Sequence, residues 1–225
     1  MTGLNHIEAC VFDAYGTLFD VAAAARDLRH QLGGNWEALA DLWRSKQLQY
    51  TWLRGLGGRH ADFWQVTGDA LDFALATLNL DDADLRQQLM ALYLRLDHYP
   101  EVPDTLRQLK ARGLRLAILS NGTPRMLEAA VDNAGLAGLF DAVLSVEEVG
   151  VFKPHPSVYQ LAVDRLAIAP GRICFLSSNG WDAYSAKAFG FSVLWCNRFA
   201  QAPERIPDTP DGQISTLAEL PALLH

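Results

Sequence analysis

The sequence contains no apolar run approaching the length of a transmembrane helix and no segment rich in lysine and arginine. Because a helix needs about 20 consecutive apolar residues to cross a bilayer, no membrane span is predicted. The 19 basic residues are outnumbered by 26 acidic ones, which gives a formal net charge of −7. An acidic chain without a basic patch is a poor ligand for nucleic acid and for an anionic membrane surface, so neither is expected as a partner.

Cysteine is scarce, and no secretory signal is predicted at the start of the sequence. The three cysteines, Cys10, Cys174 and Cys196, are odd in number and lie far apart inside apolar segments. That pattern indicates reduced core thiols and argues against a disulfide framework or a zinc site. The first eight residues lack a basic region followed by an apolar stretch. The protein is therefore predicted to be cytoplasmic.

The rest of the composition suits a large folded core, since 50% of the 225 residues are apolar. Short β-rich segments alternate with helical ones after residue 98, which predicts an α/β fold: a doubly wound parallel sheet, similar to a Rossmann core, with helices on both faces. Residues 21–97 have a composition typical of helices throughout. We therefore expect a core domain of residues 1–20 and 98–225 and an inserted all-helical domain of residues 21–97. The predicted strands cover residues 7–12, 114–119, 142–145, 173–177 and 192–196, and the predicted helices cover residues 35–54, 61–78, 81–96, 124–134, 156–166, 182–189 and 217–224.

Polar residues stand where the predicted core strands end. Asp13 follows the first strand, Ser120 and Asn121 end the second, and Lys153 lies in the loop after the third. The fourth strand ends in the polar segment 177–182. Each of these alone is commonly a helix cap, a turn former or a solvated surface residue. In doubly wound sheets, however, ligands bind beyond the carboxyl ends of the strands, so the four ends together indicate a functional site.

These segments also resemble the four motifs of the haloacid dehalogenase superfamily. The segment Asp13-Ala-Tyr-Gly-Thr-Leu-Phe-Asp20 is similar to the first motif, Ser120-Asn-Gly to the second, Lys153-Pro154 to the third, and Ser177-Ser-Asn-Gly-Trp-Asp182 to the fourth. They occur in order, and the resemblance covers essentially the whole chain. The inserted helices then correspond to the cap domain of that superfamily.

Most members of that superfamily are magnesium-dependent phosphatases, and this sequence departs from them in two places. Phosphatases carry a second aspartate, a general acid, where this chain has Tyr15, whose ordinary pKa near 10 makes it a weak proton donor. They also hold magnesium with acidic residues in the fourth motif, where this chain has Ser177 and Asn179 and keeps only Asp182 ionisable. Both departures resemble the L-2-haloacid dehalogenase branch, as does the segment 43–54, and this resemblance implies no metal and no other cofactor.

That resemblance implies two-step nucleophilic catalysis. Asp13 attacks C2 of an L-2-haloacid, expels halide and forms an aspartyl ester, which water hydrolyses to a D-2-hydroxy acid. Lys153 keeps Asp13 ionised, because a nearby cation lowers a carboxylate pKa. Asp182 is the expected base for the hydrolytic water. The residues expected to orient these groups are Thr17, Ser177 and Asn179.

The resemblance also implies a set of binding residues. Arg44 is the expected halide acceptor. Taken alone it is more typical of a surface arginine on an amphipathic helix, but its place beside Leu48 and Trp52, and not on a purely polar face, favours the halide site. Asn121 and Trp181 offer N–H donors to the same halide, and Ser120 is expected to hold the substrate carboxylate. The remaining residues assigned to the substrate pocket are Tyr15, Tyr159 and Phe63, of which Phe63 would look the same as a plain core aromatic.

The Trp-rich helix 35–54 has more apolar surface than one core needs, which predicts a homodimer through the cap. Two other functions compete with the haloacid dehalogenase. One is a magnesium-dependent phosphatase of the same fold, and the other is a catalytically silent relative that only binds. The intact set of four motifs argues against the silent relative, because such a chain would be free to lose Asp13 or Lys153.

Overall fold

The computed structural model describes residues 4–80 and 82–225, and its centre is a six-stranded sheet in which every pairing is parallel. The strands are β1 (Ala9–Phe12), β2 (Arg115–Ser120), β3 (Ala142–Ser145), β4 (Ile173–Ser177), β5 (Ser192–Cys196) and β6 (Gly212–Ile214). Their order in the sheet is β3-β2-β1-β4-β5-β6. The strands β1 and β4 are buried along their whole length, as expected for strands that helices cover on both faces. The predicted fold class is confirmed.

Nine α-helices accompany this sheet in the described ranges. They are α1 (Ala23–Asp27), α2 (Arg29–Leu32), α3 (Trp36–Leu56), α4 (Phe63–Thr77), α5 (Ala83–Tyr93), α6 (Val102–Ala111), α7 (Pro124–Asn133), α8 (Pro156–Leu166) and α9 (Gly180–Phe189). The first five lie between β1 and β2 in the chain, inside the segment 21–97 predicted to be helical. Within residues 4–80 and 82–225, none of these helices is long and apolar enough to cross a membrane.

Some predicted boundaries differ from the structure. The predicted start of one helix at residue 81 lies outside the described residues, and α5 begins at Ala83, where the Asp82 side chain accepts backbone N–H groups from the first turn. The predicted helix 217–224 is wrong, because residues Leu217–Ala222 form a 3-10 helix that contains Pro221, which has no N–H to donate. Helix α6 is not among the predicted elements. The strand β6 is also missing from the predicted elements, because an edge strand with a single neighbour needs no apolar run.

Helix α3 differs from the predicted helix 35–54 in its bounds, and its buried face is partly polar. The helix runs through Gly55 instead of ending before it, and Asn35 makes no side-chain capping hydrogen bond. Its buried residues follow a spacing of four: Leu39, Trp43, Gln47 and Thr51. Leu53, near the end of the helix, is 57% exposed. Two polar side chains therefore occupy the buried face of this helix.

The chain leaves the sheet and returns to it through two adjacent segments. Phe19 and His98 form an antiparallel bridge, the N–H of Asp20 donates to the carbonyl of Asp97 at 2.9 Å, and the N–H of Tyr99 donates to the carbonyl of Leu18 at 3.0 Å. This pairing holds α1–α5 next to the end of β1. Side chains from these helices can therefore approach the carboxyl edge of the sheet.

Candidate active site

Asp13 stands at the centre of the carboxyl edge of the sheet. Phe12, the last residue of β1, pairs with Ile118 of β2 on one side and Leu176 of β4 on the other. The N–H of Asp13 donates to the carbonyl of Leu176 at 2.9 Å, which continues the pairing by one residue. The Asp13 side chain is only 8% exposed. A carboxylate is thus held in a protected position with a strand on either side.

The two oxygens of this carboxylate have unequal surroundings. Oδ2 of Asp13 accepts from Nδ2 of Asn179 at 2.8 Å, from Oγ1 of Thr17 at 3.1 Å and from Oγ of Ser177 at 3.5 Å. Within the described ranges, Oδ1 accepts only from Nζ of Lys153, at 3.1 Å. Hydrogen bonds withdraw electron density from the oxygen that accepts them. Oδ1 is therefore the more nucleophilic oxygen of the two.

Backbone groups orient the two hydroxyls that bond to Oδ2. The N–H of Ser178 donates to Oγ1 of Thr17 at 2.8 Å, and the N–H of Asn179 donates to Oγ of Ser177 at 3.2 Å. Because each hydroxyl already accepts a backbone proton, its own proton is free to point at Asp13.

Lys153 lies between two carboxylates. Its Nζ is 3.1 Å from Oδ1 of Asp13 and 2.8 Å from Oδ2 of Asp182, and its side chain is 1% exposed. Burial by itself lowers the pKa of Lys153, but the charges of Asp13 and Asp182 outweigh it, so the pKa is raised and the ammonium persists. The arrangement places one permanent cation against both acidic groups.

Asp182 is completely buried. Burial raises its pKa above the ordinary value, and the charge of Lys153 offsets this rise only in part. The hydroxyl of Tyr159 donates to Oδ1 of Asp182 at 2.8 Å. Burial and the charge of Asp182 hold the pKa of Tyr159 well above its usual range, so the phenol remains a donor. Asp182 is therefore a buried carboxylate with increased basicity and a fixed orientation.

Arg44 reaches the same edge from α3. One guanidinium nitrogen, Nη2, donates to Oδ1 of Asn179 at 3.1 Å and to the carbonyl of Tyr15 at 3.4 Å. The other, Nη1, donates to Oε1 of Gln47 at 2.7 Å. This guanidinium is thus anchored above the Asp13 carboxylate through Asn179, and it is not a solvated group on the outer face of the helix.

Aromatic side chains surround these charged groups. The Tyr15 ring, 2% exposed, lies 5.8 Å from the ring of Phe63 and 5.5 Å from the ring of Tyr93. Trp181, at the start of α9, packs edge-on against Trp52 of α3 at 5.4 Å. In the described part of the chain, the Tyr15 hydroxyl and both Trp side-chain N–H groups are buried without a hydrogen-bond partner. Buried N–H and O–H groups without a partner can donate hydrogen bonds to a bound anion.

Ser120 and Asn121 complete the edge at the end of β2. Oγ of Ser120, which is fully buried, accepts the N–H of Gly122 at 3.1 Å. Oδ1 of Asn121 accepts the N–H of Lys153 at 3.0 Å, which leaves the amide nitrogen of Asn121 as its donor. Neither residue bonds directly to Asp13. They stand beside it, in the same row of strand ends.

Three polar groups connected to the site are absent from the sequence-based predictions. They are Gln47 on α3, Thr67 on α4 and Tyr93 on α5, which are joined by hydrogen bonds. Gln47 could have been recognised from its position three residues after Arg44 on one helix, which places both on one face. A glutamine on a surface helix is ordinarily solvated, so this signal is weak.

His60, in the segment between α3 and α4, pairs with a glutamate from a distant part of the chain. Its side chain is 25% exposed, and Nε2 lies 3.0 Å from Oε2 of Glu147. Oε1 of the same glutamate accepts the N–H of Phe63 at 3.2 Å. Glu147 therefore joins the segment before α4 to the segment after β3. Within residues 4–80 and 82–225, no group of three or more His, Cys, Asp or Glu side chains is arranged to hold a metal ion.

Comparison with known proteins gives a consistent result. The family model of the haloacid dehalogenase-like hydrolases matches residues 7–190. The chain is 47% identical over 222 residues to (S)-2-haloacid dehalogenase 1 of Pseudomonas sp. (strain CBS-3), with 98% of each chain covered. It is similar to the crystal structure of a dehalogenase with an intermediate complex, with a TM-score of 0.96, 43% identity and 98% of each chain covered. It also resembles the L-2-haloacid dehalogenase of Xanthobacter autotrophicus with chloropropionic acid covalently bound, with a TM-score of 0.90, 42% identity and coverage of 96% of this chain and 98% of the other.

Proposed function

The chain belongs to the haloacid dehalogenase-like hydrolases, and from this premise we propose that it is an (S)-2-haloacid dehalogenase, a hydrolase of carbon–halide bonds. The observation that carries the proposal is the buried arrangement of Asp13, Lys153 and Asp182 beneath the Arg44 guanidinium. This arrangement supplies a nucleophile, a base and two cations in one protected site. The covalent complex of the Xanthobacter relative supports a mechanism through an ester.

In the first step, Oδ1 of Asp13 attacks C2 of the substrate from the side opposite the halogen. The O–C2 bond forms as the C2–halogen bond breaks, and the halide leaves with the bonding electrons, so the configuration at C2 inverts. The Lys153 ammonium lies 3.1 Å from the attacking oxygen and supplies the positive charge beside it. The bonds from Asn179 and Thr17 to Oδ2 hold the carboxylate so that its less encumbered oxygen faces the substrate.

In the second step, water attacks the carboxyl carbon of Asp13 and breaks the ester there, so C2 keeps its inverted configuration. Asp182 takes a proton from this water, and its raised pKa makes it a stronger base than an ordinary aspartate. That proton passes to the alkoxide oxygen on C2 as the ester bond breaks, and the second proton of the water goes to solvent, which restores the Asp13 carboxylate. The Tyr159 hydroxyl fixes the orientation of that carboxylate. The product is a D-2-hydroxy acid.

The halide and the substrate carboxylate are held by different groups. Arg44 accepts the departing halide together with the N–H donors of Asn121 and Trp181, whose indole N–H is buried and free. Ser120 and the backbone N–H groups after Asp13 hold the carboxylate of the substrate. Weakly hydrated guanidinium suits a large anion.

The helices α1–α5, within residues 21–97, act as a cap on the core of residues 1–20 and 98–225. They exclude water from the carboxylate nucleophile, which strengthens every charge interaction inside the site. The hinge lies at the two adjacent segments around Phe19 and His98.

The cap also provides the interface of a homodimer. Leu56 is 88% exposed, Leu53 is 57% exposed, and Phe73 is 39% exposed, and all three lie on α3 and α4. In a symmetric dimer, the same surface of a second copy would cover these exposed apolar side chains. The three cysteines are free and buried, which supports a reducing, cytoplasmic location.

One assay separates the dehalogenase from a magnesium-dependent phosphatase and from a silent binding protein. The protein is incubated with L-2-chloropropionate and EDTA, and chloride and lactate are measured. Chloride release with D-lactate as the product is expected, and the D-substrate should not react. Magnesium-dependent turnover of p-nitrophenyl phosphate without chloride release would refute the proposal. Burial raises the pKa of Tyr15 well above its usual range, so this residue cannot replace the general acid of a phosphatase.

A further inference from the structure

Gln47 is a fully buried polar residue on the face of α3 that also carries Arg44. It is 1% exposed, and Oε1 accepts from Nη1 of Arg44 at 2.7 Å. Its amide nitrogen donates to Oγ1 of Thr67 at 2.7 Å and to the hydroxyl of Tyr93 at 3.0 Å. An amide with this degree of burial is costly unless its hydrogen bonds are satisfied. Here all of its polar atoms have partners, and one partner is the proposed halide acceptor.

The direction of the Gln47 amide is determined by its neighbours. The hydroxyl of Thr67 donates its proton to the carbonyl of Phe63 at 2.6 Å. A hydroxyl has only one proton, so towards Gln47 it can only accept. The amide must therefore turn its nitrogen to Thr67 and its oxygen to Arg44. Two helices, α4 and α5, thus set the position of the oxygen that receives the guanidinium.

An amide differs in its effect from a carboxylate at this position. A neutral acceptor restrains the guanidinium and leaves its full charge available to an anion. A glutamate would form an ion pair with Arg44 and cancel most of that charge. With Gln47 on Nη1 and Asn179 on Nη2, the guanidinium is held at both ends before any halide arrives. Preorganised charge of this kind costs no reorganisation when the leaving group departs.

We propose that Gln47, held by Thr67 and Tyr93, is a positioning residue that aims Arg44 at the halide. The expected effect on turnover rests on the proposed dehalogenase function. The expected effect on halide affinity does not depend on it. It predicts that the loss of Gln47 weakens the expulsion and binding of halide and leaves the hydrolysis of the ester unchanged.

The test compares Gln47→Met with Gln49→Met. Methionine is similar in volume to glutamine but lacks both the donor and the acceptor. Gln49 lies two residues further on the same helix and is exposed, and its side chain is hydrogen-bonded only to Lys46 among the described residues, so its variant is a matched control. Three quantities are measured: kcat for L-2-chloropropionate, the rate ratio of the bromo to the chloro substrate, and the affinity for bromide by calorimetry without substrate.

For Gln47→Met we expect kcat with the chloro substrate to fall about tenfold or more, since hydrogen bonds to charged groups are worth more than neutral ones. The bromo-to-chloro ratio should rise, because a better leaving group needs less help from Arg44. Bromide affinity should fall several-fold, by the order of one hydrogen bond. The Gln49→Met protein should match the wild type in all three.

A purely structural role for Gln47 would lower kcat without changing the ratio or the bromide affinity, and that result overturns the proposal. If Gln47→Met does not fold, Tyr93→Phe takes its place, since it removes one hydroxyl and keeps the ring. It should shift the ratio and the affinity in the same direction, by about two- to tenfold, and an unchanged ratio and affinity would refute the inference. A wild-type protein that binds bromide but releases no halide would contradict the proposed function alone, and one that binds no bromide would overturn both.

Discussion

Replacing Lys153 by methionine is expected to destabilise the fold as well as to abolish activity. The ammonium of Lys153 is the only cation in hydrogen-bond contact with the buried carboxylates of Asp13 and Asp182 within the described ranges. Without it, two acidic groups less than a tenth exposed lie close together with no cation in direct contact. Removing one partner of a buried ion pair costs about 3–5 kcal/mol, because the other charge is left unpaired.

The size of this loss depends on pH in a definite direction. The pKa of Asp182 is already raised by burial with Lys153 present, and the loss of the cation raises it further in the folded variant. A group with a raised pKa binds more protons in the folded state than in the unfolded state, so stability falls as pH rises through that pKa. The variant should therefore be least stable at alkaline pH. The difference in the free energy of unfolding between the variant and the wild type should decrease as the pH falls.

The measurement is urea unfolding of the wild type and Lys153→Met at about pH 8 and about pH 5. The control is Lys187→Met, which removes a partly exposed ion pair with Asp211 at 2.7 Å. Such pairs contribute about 0–1 kcal/mol to stability, so the free energy of unfolding of this variant should decrease little at either pH. The argument would be refuted if the two lysine variants lost equal stability, or if the stability lost in Lys153→Met did not change with pH.

Three further variants test other parts of the site. Asp182→Asn should still allow attack by Asp13 but leave the hydrolytic water without a base. Intact-protein mass spectrometry within one turnover should therefore show an added propionate unit. Normal turnover, or the absence of both the adduct and chloride release, would contradict this division of roles. Arg44→Ala should lower halide release by orders of magnitude in a protein that still folds, and activity above about a tenth of wild type would remove Arg44 from the mechanism. Gly122→Ala places a methyl group 2.8 Å from the ring of Tyr15, so thermal unfolding should show a loss of about 1–3 kcal/mol together with slower turnover. Gly171→Ala, which meets no atom within 4 Å, is its control, and equal behaviour of the two glycine variants would show that the contact is unimportant.

The strand–helix alternation was enough to predict the sheet and, with it, the location of the site. In a parallel sheet every carboxyl end lies at one edge, so Asp13, Ser120 and Ser177 had to meet there once their strands were recognised. The residues that bond to Asp13 follow from short motifs for the same reason, because each motif directly follows a strand. Local patterns are sufficient wherever the chain itself carries a residue to its position.

Other features depended on packing between distant segments. Gln47, Thr67 and Tyr93 belong to three helices and share no motif, and each alone resembles a common surface or core residue. The pair of His60 and Glu147 crosses 87 positions in the chain. In these cases the environment that determines whether a polar side chain is solvated or buried is provided by other elements. A helical sequence indicates which residues share a face, but only the tertiary structure decides what that face contacts.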